Sequence, residues 1–344
     1  MTTNSCPAIP SRSTDSPDRM RVYFTVDTET SMGGAWRNPA ARPLPLERSI
    51  FGKMDSKYYG IPLLMDILEE YGFRGTFFTE MFCSRILGLG EVERVLTYIH
   101  NRGHDAQLHL HPAYRYYHHW LQGGARREQD LMCDLPATEQ DELIGEGIDI
   151  FRRLTGRAPR AYRAGCYGAS EVTLAALRRH GVTIDSSYNL ACLDVTCKFR
   201  SRPLNGPRRM EGLQEFPVTN FRVALQSGYK PLEVGAVSVA EILATIDSLR
   251  AAGCRDVVLS LHSFSFLKNL EHRNEPCRPD RIVIQRFRTL CAALARIRGE
   301  VEVPLIGEAN LPEQPLGSDH IPYIGWRRPL LRKIVQGVNR FPWI

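Results

Sequence analysis

No apolar run in this 344-residue chain approaches the ~20 residues that a membrane-spanning helix needs, so no spanning segment is expected. C-x-x-C pairs are missing too. The nine cysteines (Cys6, Cys83, Cys133, Cys166, Cys192, Cys197, Cys254, Cys277 and Cys291) are odd in number and irregularly spaced, which removes support for a zinc ribbon or a thioredoxin-type site. Residues 1–19 lack an apolar core and are rich in Ser, Thr and Pro, so they are expected to form a disordered lead-in rather than a signal peptide. Together with the missing export signal, the cysteine pattern favours reduced thiols in a cytoplasm, where the chain is expected. Acid is missing from the other end. Residues 326–344 hold Arg327, Arg328, Arg332, Lys333 and Arg340 but neither Asp nor Glu, and so account for most of the net charge of +6. The rest of the chain is nearly neutral, and a nucleic-acid partner is not expected.

What is present is an ordinary globular composition, 43% hydrophobic and 24% charged, in a chain long enough for one large core. Helical spacing recurs, each time followed by glycine. Ile61, Leu64, Met65 and Leu68 precede Gly72; Val92, Val95, Leu96 and Ile99 precede Gly103; Leu143, Ile144, Ile148, Phe151 and Leu154 precede Gly156. Leu174 and Leu177 lead to Gly181, residues 239–249 to Gly253 with Ser238 and Glu241 as a capping box, and residues 282–297 to Gly299. Short extended segments alternate with these helices, at 22–27, 75–79, 106–111, 182–185, 257–262 and 301–305, with weaker ones at 161–164 and 216–218. Seven or eight strands alternating with helices imply parallel pairing and right-handed crossovers. A closed or nearly closed β/α barrel fits that count; an open doubly wound sheet is the alternative. One domain is expected over residues 20–310, with a basic amphipathic tail at 311–344. Two long inserts, 30–60 and 112–136, leave the C-terminal ends of strands, where barrel sites are built.

The chemistry gathers at those strand ends. In Phe24-Thr25-Val26-Asp27-Thr28-Glu29, alternation puts Asp27 and Glu29 on one face and Thr28 on the other. In Gly103-His104-Asp105-Ala106-Gln107-Leu108-His109-Leu110-His111-Pro112, His109 and His111 share a face. Two histidines and a carboxylate with an open position suit a hydrolytic metal. Arg163, in Ala161-Tyr162-Arg163-Ala164-Gly165, is placed to fix a carboxylate in its ionised form. His262 closes the most apolar strand and reads as a general acid or base, with Asp185, at the end of Val182-Thr183-Ile184-Asp185, as its orienting partner. His118 and His119 read as surface or lid residues. The flat faces of Tyr114, Tyr116, Tyr117 and Trp120 suit either a sugar ring or loop packing.

The order of these motifs (an Asp/Glu strand end, G-H-D…H-x-H-P, Y-R-A-G, I-D-S-S, L-S-L-H-S) resembles the polysaccharide deacetylase superfamily (NodB-like, carbohydrate esterase family 4) over roughly residues 22–305. It looks most like the cytoplasmic branch associated with surface-polysaccharide and lipopolysaccharide gene clusters, whose first motif reads D-x-E. The resemblance implies a distorted (β/α)7 barrel, one divalent metal ion (zinc or iron(II)), and removal of an N-acetyl group from an amino sugar. It implies Asp27 as base, Glu29, His109 and His111 as metal ligands, Arg163 as the residue orienting the base, and His262 as acid supported by Asp185. Two departures stand out. Thr28 occupies the place of the family's second aspartate, and Ala113 that of its second histidine, so that Glu29 and His111 substitute. A deformylase or other amidohydrolase on the same fold, and a sugar-binding member without catalysis, are the alternatives. For a cytoplasmic enzyme the substrate is expected to be nucleotide-linked or lipid-linked, in surface-glycan assembly. The tail is a candidate contact with the inner membrane face or, packed inward, part of the core.

Overall fold

A computed structural model describes residues 19–38, 41–201, 203–224, 227–270, 277–311, 319–330 and 332. Nearly all of the expected lead-in and most of the basic tail lie outside these residues. The central sheet runs β1 (Met20–Thr28), β2 (Thr76–Glu80), β3 (Asp105–Leu110), β4 (Ala161–Ala164), β5 (Ile184–Asp185), β6 (Arg208–Met210), β7 (Leu213–Glu215), β8 (Asp256–His262) and β9 (Val301–Glu302) in chain order. Its spatial order is β8-β1-β2-β3-β4-β5-β7-β6. Every pairing from β8 through β7 is parallel, which gives the seven parallel strands that the alternation predicts; only β6 is antiparallel. The start of β1, beside the stretch that β2 covers, pairs with β9.

Seven helices of nine residues or more alternate with the strands among the described residues: α1 (Ile61–Glu70), α2 (Leu89–Asn101), α3 (Pro112–Leu121), α4 (Ala137–Thr155), α5 (Glu171–Arg179), α6 (Val239–Ala251) and α7 (Arg281–Arg296). Gly72, Gly103, Gly156, Gly181 and Gly253 take positive φ where helices stop, whereas Gly299 does not. The capping box of Ser238 and Glu241 is formed. Helix α3 corrects the reading of residues 112–136 as a plain insert. Pro112 sits in its first turn, where its missing N–H costs nothing.

Strand alternation divides the core in two. Val22, Phe24, Val26, Leu108, Leu259 and Leu261 face outward onto the helices, meeting Leu64, Leu68, Ile148 and Phe287. Tyr23, Phe78, Ala161, Ile184, Phe216 and Val258 face inward and, with Ile306, plug the barrel. Each fully buried aromatic side chain of this kind contributes about 1.5–3 kcal/mol. The barrel is not ladder-closed among the described residues. Pro217, following β7, has no N–H to continue a ladder. Beyond it Thr219 N donates to Val258 O (3.1 Å) and Val258 N to Thr219 Oγ1 (2.9 Å), and Ser260 exchanges backbone hydrogen bonds with Leu232 and Val234 (3.1 Å each), so isolated bridges rather than a continuous ladder cover the free edge of β8 at the barrel seam.

Candidate metal centre

The register carries the expected residues to one end and one face of the sheet. Asp27 on β1 is paired with His262 on β8, and Glu80, His109 and Arg163 stand side by side across β2, β3 and β4. Glu29 and His111 follow immediately after β1 and β3. Glu29 Oε2 lies 2.5 Å from His111 Nε2 and 3.2 Å from His109 Nε2, and one donor atom from each of the three residues lies within 4.8 Å of the others.

Whether these residues fit a cation follows from their outer hydrogen bonds. His109 Nδ1 is 2.8 Å from the carbonyl oxygen of Arg163, which only accepts, so Nδ1 carries the proton. His111 Nδ1 is 2.8 Å from the Asp130 carboxylate and donates likewise. Neutral imidazoles with these tautomers turn both Nε2 lone pairs toward Glu29 Oε2. Three acceptors aimed at one another repel unless a positive charge lies among them. The set fits a divalent ion, and both histidines have the outer partner that metal-ligating histidines favour. Without a metal a proton takes that place: burial opposes charge on His111, but Asp130 and Glu29 hold its imidazole well above its ordinary range. Burial pushes Glu29 up, yet His111 and His109 hold its carboxyl well below its usual value.

Arg163 links the ligands to Asp27. Its backbone carbonyl fixes His109, while its fully buried guanidinium donates from Nη1 to Asp27 Oδ1 at 2.7 Å. Nε and Nη2 donate to Ser186 O (3.0 Å) and Ser186 Oγ (2.9 Å), and the guanidinium lies 4.4 Å from the Phe78 ring centroid. The guanidinium is thus held in one pose, and Asp27 with it. His262 stands next to Asp27 on the neighbouring strand, partly open to solvent, its Nε2 3.8 Å from Glu29 Oε1 and its ring stacked on Phe264.

Asp185 is not brought to His262. Ile184 points into the barrel plug, so the next residue points outward, beside Tyr162. There its carboxylate accepts from Ser187 Oγ (2.7 Å) and Ser187 N (3.1 Å) and meets the carboxyl of Glu215 in a hydrogen bond. Burial raises both carboxyls, and the Asp185 charge holds Glu215 well above the usual carboxylate range, so the pair retains a proton between them.

Sequence reasoning missed three neighbours. Asp130, in the second insert, gives no local signal; only the fold carries it to His111. Glu80 is buried and accepts from Phe82 N (2.8 Å), Cys83 N (2.6 Å) and His111 N (3.3 Å), which pins the end of β3 to that of β2. Its alternation with Phe78 was the available signal. Gly165 lies against His111: a Cβ there would come within 2.5 Å of Nδ1. The aromatic residues resolve toward packing. Tyr114, Tyr116 and Tyr117 are buried, Tyr114 donates to Thr30 O (2.6 Å), and Trp36 of the first insert stacks on Trp120 with centroids 5.7 Å apart. The two inserts are thereby joined. His118 is half-buried and His119 exposed.

No family model matches the chain, and no curated protein matches it in sequence. Solved structures do match. A protein from Mycobacterium smegmatis classed as a polysaccharide deacetylase superimposes with a TM-score of 0.55 at 20% identity, over 90% of this chain and 99% of that one. The allantoinase PuuE superimposes with a TM-score of 0.51 at 12% identity, over 87% and 91%. These likenesses show the fold, which is the NodB-like barrel type with a parallel central sheet.

Proposed function

We propose that this chain is a metal-dependent hydrolase that removes the N-acetyl group from an amino sugar. The observation that carries the reading is the convergence of Glu29 and two Nδ1-protonated histidines on one point, beside an arginine-held aspartate, at the strand ends of this fold. Glu29, His109 and His111 would hold the ion, zinc or iron(II) by donor type. Bound there, a divalent ion polarises an amide carbonyl and lowers the pKa of a water toward ~7.

The chain's own groups do the rest. Arg163 bonds Oδ1 of Asp27, which leaves Oδ2 to take the proton of the attacking water. A C–O bond forms as the amide C–N bond breaks. His262, on the strand beside Asp27, donates its proton to the departing nitrogen, so that amine and acetate leave. Asp185 serves by bracing Ser187 next to Ser186, which holds Arg163, and does not act on His262.

The substrate we infer is a nucleotide-linked or lipid-linked precursor of a surface glycan, met in the cytoplasm. No described helix is long and apolar enough to cross a membrane. The start of the tail supports a peripheral contact. Pro329 and Arg332 face inward, Arg332 Nε bonding Glu241 at the first turn of α6 (3.1 Å), whereas Trp326, Arg327, Arg328 and Leu330 are exposed. Basic and apolar side chains together suit an anionic bilayer. The rest of the expected stripe, Leu331, Ile334, Val335 and Val338, lies outside the described residues.

The test is mass spectrometry of nucleotide-linked and lipid-linked N-acylated amino sugars incubated with metal-loaded protein. Loss of an acetyl mass supports the proposal. Loss of a formyl mass instead makes the chain a deformylase. Protein that takes up no divalent ion and alters no substrate is a sugar-binding relative of these enzymes, and the proposal fails.

A further inference from the structure

His111 is approached from its other side by two groups that the reaction above leaves unused as ligands. Asp130 arrives from the second insert and Cys166 from the turn after β4. A ring nitrogen of His111, an Asp130 oxygen and Cys166 Sγ all lie within 4.8 Å of one another, with Asp130 Oδ2 2.8 Å from His111 Nδ1 and 3.7 Å from Sγ. The second Asp130 oxygen accepts from Ala113 N at 3.2 Å, which aims the carboxylate. Cys166 sits at φ +53°, a conformation uncommon outside glycine, next to the Gly165 that lies on the His111 ring. Cys166 is exposed, so an ion reaches it from solvent.

We propose that His111 Nδ1, Asp130 and Cys166 form a second cation site for a thiophilic divalent ion such as zinc or cadmium, and that filling it inhibits the enzyme. The inhibitory half rests on the reading of Glu29, His109 and His111 as the first site. Thiolate, imidazole and carboxylate together select soft and borderline ions and are poor ligands for magnesium or calcium. The ion replaces the Nδ1 proton and the thiol proton, both released to solvent, and water completes the tetrahedron. His111 then bridges two ions as an imidazolate. The hydrogen bond from Nδ1 to Asp130, which orients the ring and strengthens its Nε2 as a ligand, is lost, and a second positive charge draws density from the same ring.

The experiment titrates metal-free protein with cadmium, reading bound metal by mass spectrometry and the ultraviolet charge-transfer band of a cadmium thiolate. The first equivalent is expected to bind without the band, since the first site has no sulfur, and the second to bring the band up. Cys166→Ser should bind the first equivalent, lose the second and show no band. A band that survives Cys166→Ser, or no band at any equivalent in the wild type, overturns the second site. Glu29→Gln separates the two ideas. If it leaves the first, silent equivalent in place, the reading of the first site fails, while the Cys166→Ser result still decides the second. In turnover, excess zinc should slow the wild type and spare Cys166→Ser; equal inhibition of both overturns the regulatory role.

Discussion

Asp27 has one oxygen committed to Arg163 and one free, so its charge and its position can be separated by mutation. Asp27→Asn keeps an oxygen for Arg163 to bond but cannot accept the water's proton. It is expected to lower turnover by at least ~10²-fold while metal content, measured on the purified variant, stays at the wild-type level. Normal turnover would mean that another group is the base. Gly165 makes the complementary case, since it is no ligand. Its missing side chain leaves room for the His111 ring, and Gly165→Ala would put a methyl group 2.5 Å from Nδ1. The ring must shift, and metal affinity should fall by roughly 10–100-fold, the effect of disturbing a ligand's outer support. Competition with a chelator measures it; unchanged affinity would show that the turn yields instead.

Strands β5 and β7 are joined by the Asp185–Glu215 carboxyl pair as well as by their ladder. Because the folded pair keeps a proton above the pH at which unfolded carboxyls lose theirs, it favours folding at low pH. That contribution fades as pH rises from the ordinary carboxylate range through the raised folded value. Glu215→Gln carries its hydrogens at every pH. Its melting temperature should match the wild type in acid and exceed it at neutral pH; parallel curves would mean that the pair is ionisation-neutral. The same pair shows where sequence reading stops. On long strands, alternation sorted Asp27 and Glu29 from Thr28, and His109 and His111 from Leu110, correctly by face. On β5, two residues long, the parity depends on Ile184 filling the barrel plug, which only the tertiary fold discloses, and so Asp185 was assigned to the wrong neighbour. Helix α3 was overlooked for the opposite reason. Its signal, Pro112 at the first turn, was present but lay inside a stretch of Tyr, His and Arg that reads as irregular. Asp130 had no local signal at all.

For the molecule as a whole, the tail and the barrel seam carry the expectations. If Trp326, Arg327, Arg328 and Leu330 touch a bilayer, the intact protein should sediment with anionic vesicles at low salt and not with neutral ones, and removal of residues 326–344 should abolish this. No sedimentation of the intact protein would end that idea. The seam has a different consequence. The ladders that run unbroken from β8 through β1, β2 and β3 to β4 carry Asp27, His262, His109 and Arg163, whereas the free edge of β8 is held by isolated bridges, at Val258 to Thr219 and at Ser260 to Leu232 and Val234. In hydrogen-exchange terms the barrel is a split ring, and its lowest-energy opening should be at that edge. The Thr219 amide should exchange well before those of Phe24 and Val26 in the doubly flanked β1. Protection would then be graded around the ring, least at the seam and greatest at β1, so that the chain can breathe on one side while the strands that carry the candidate site stay closed.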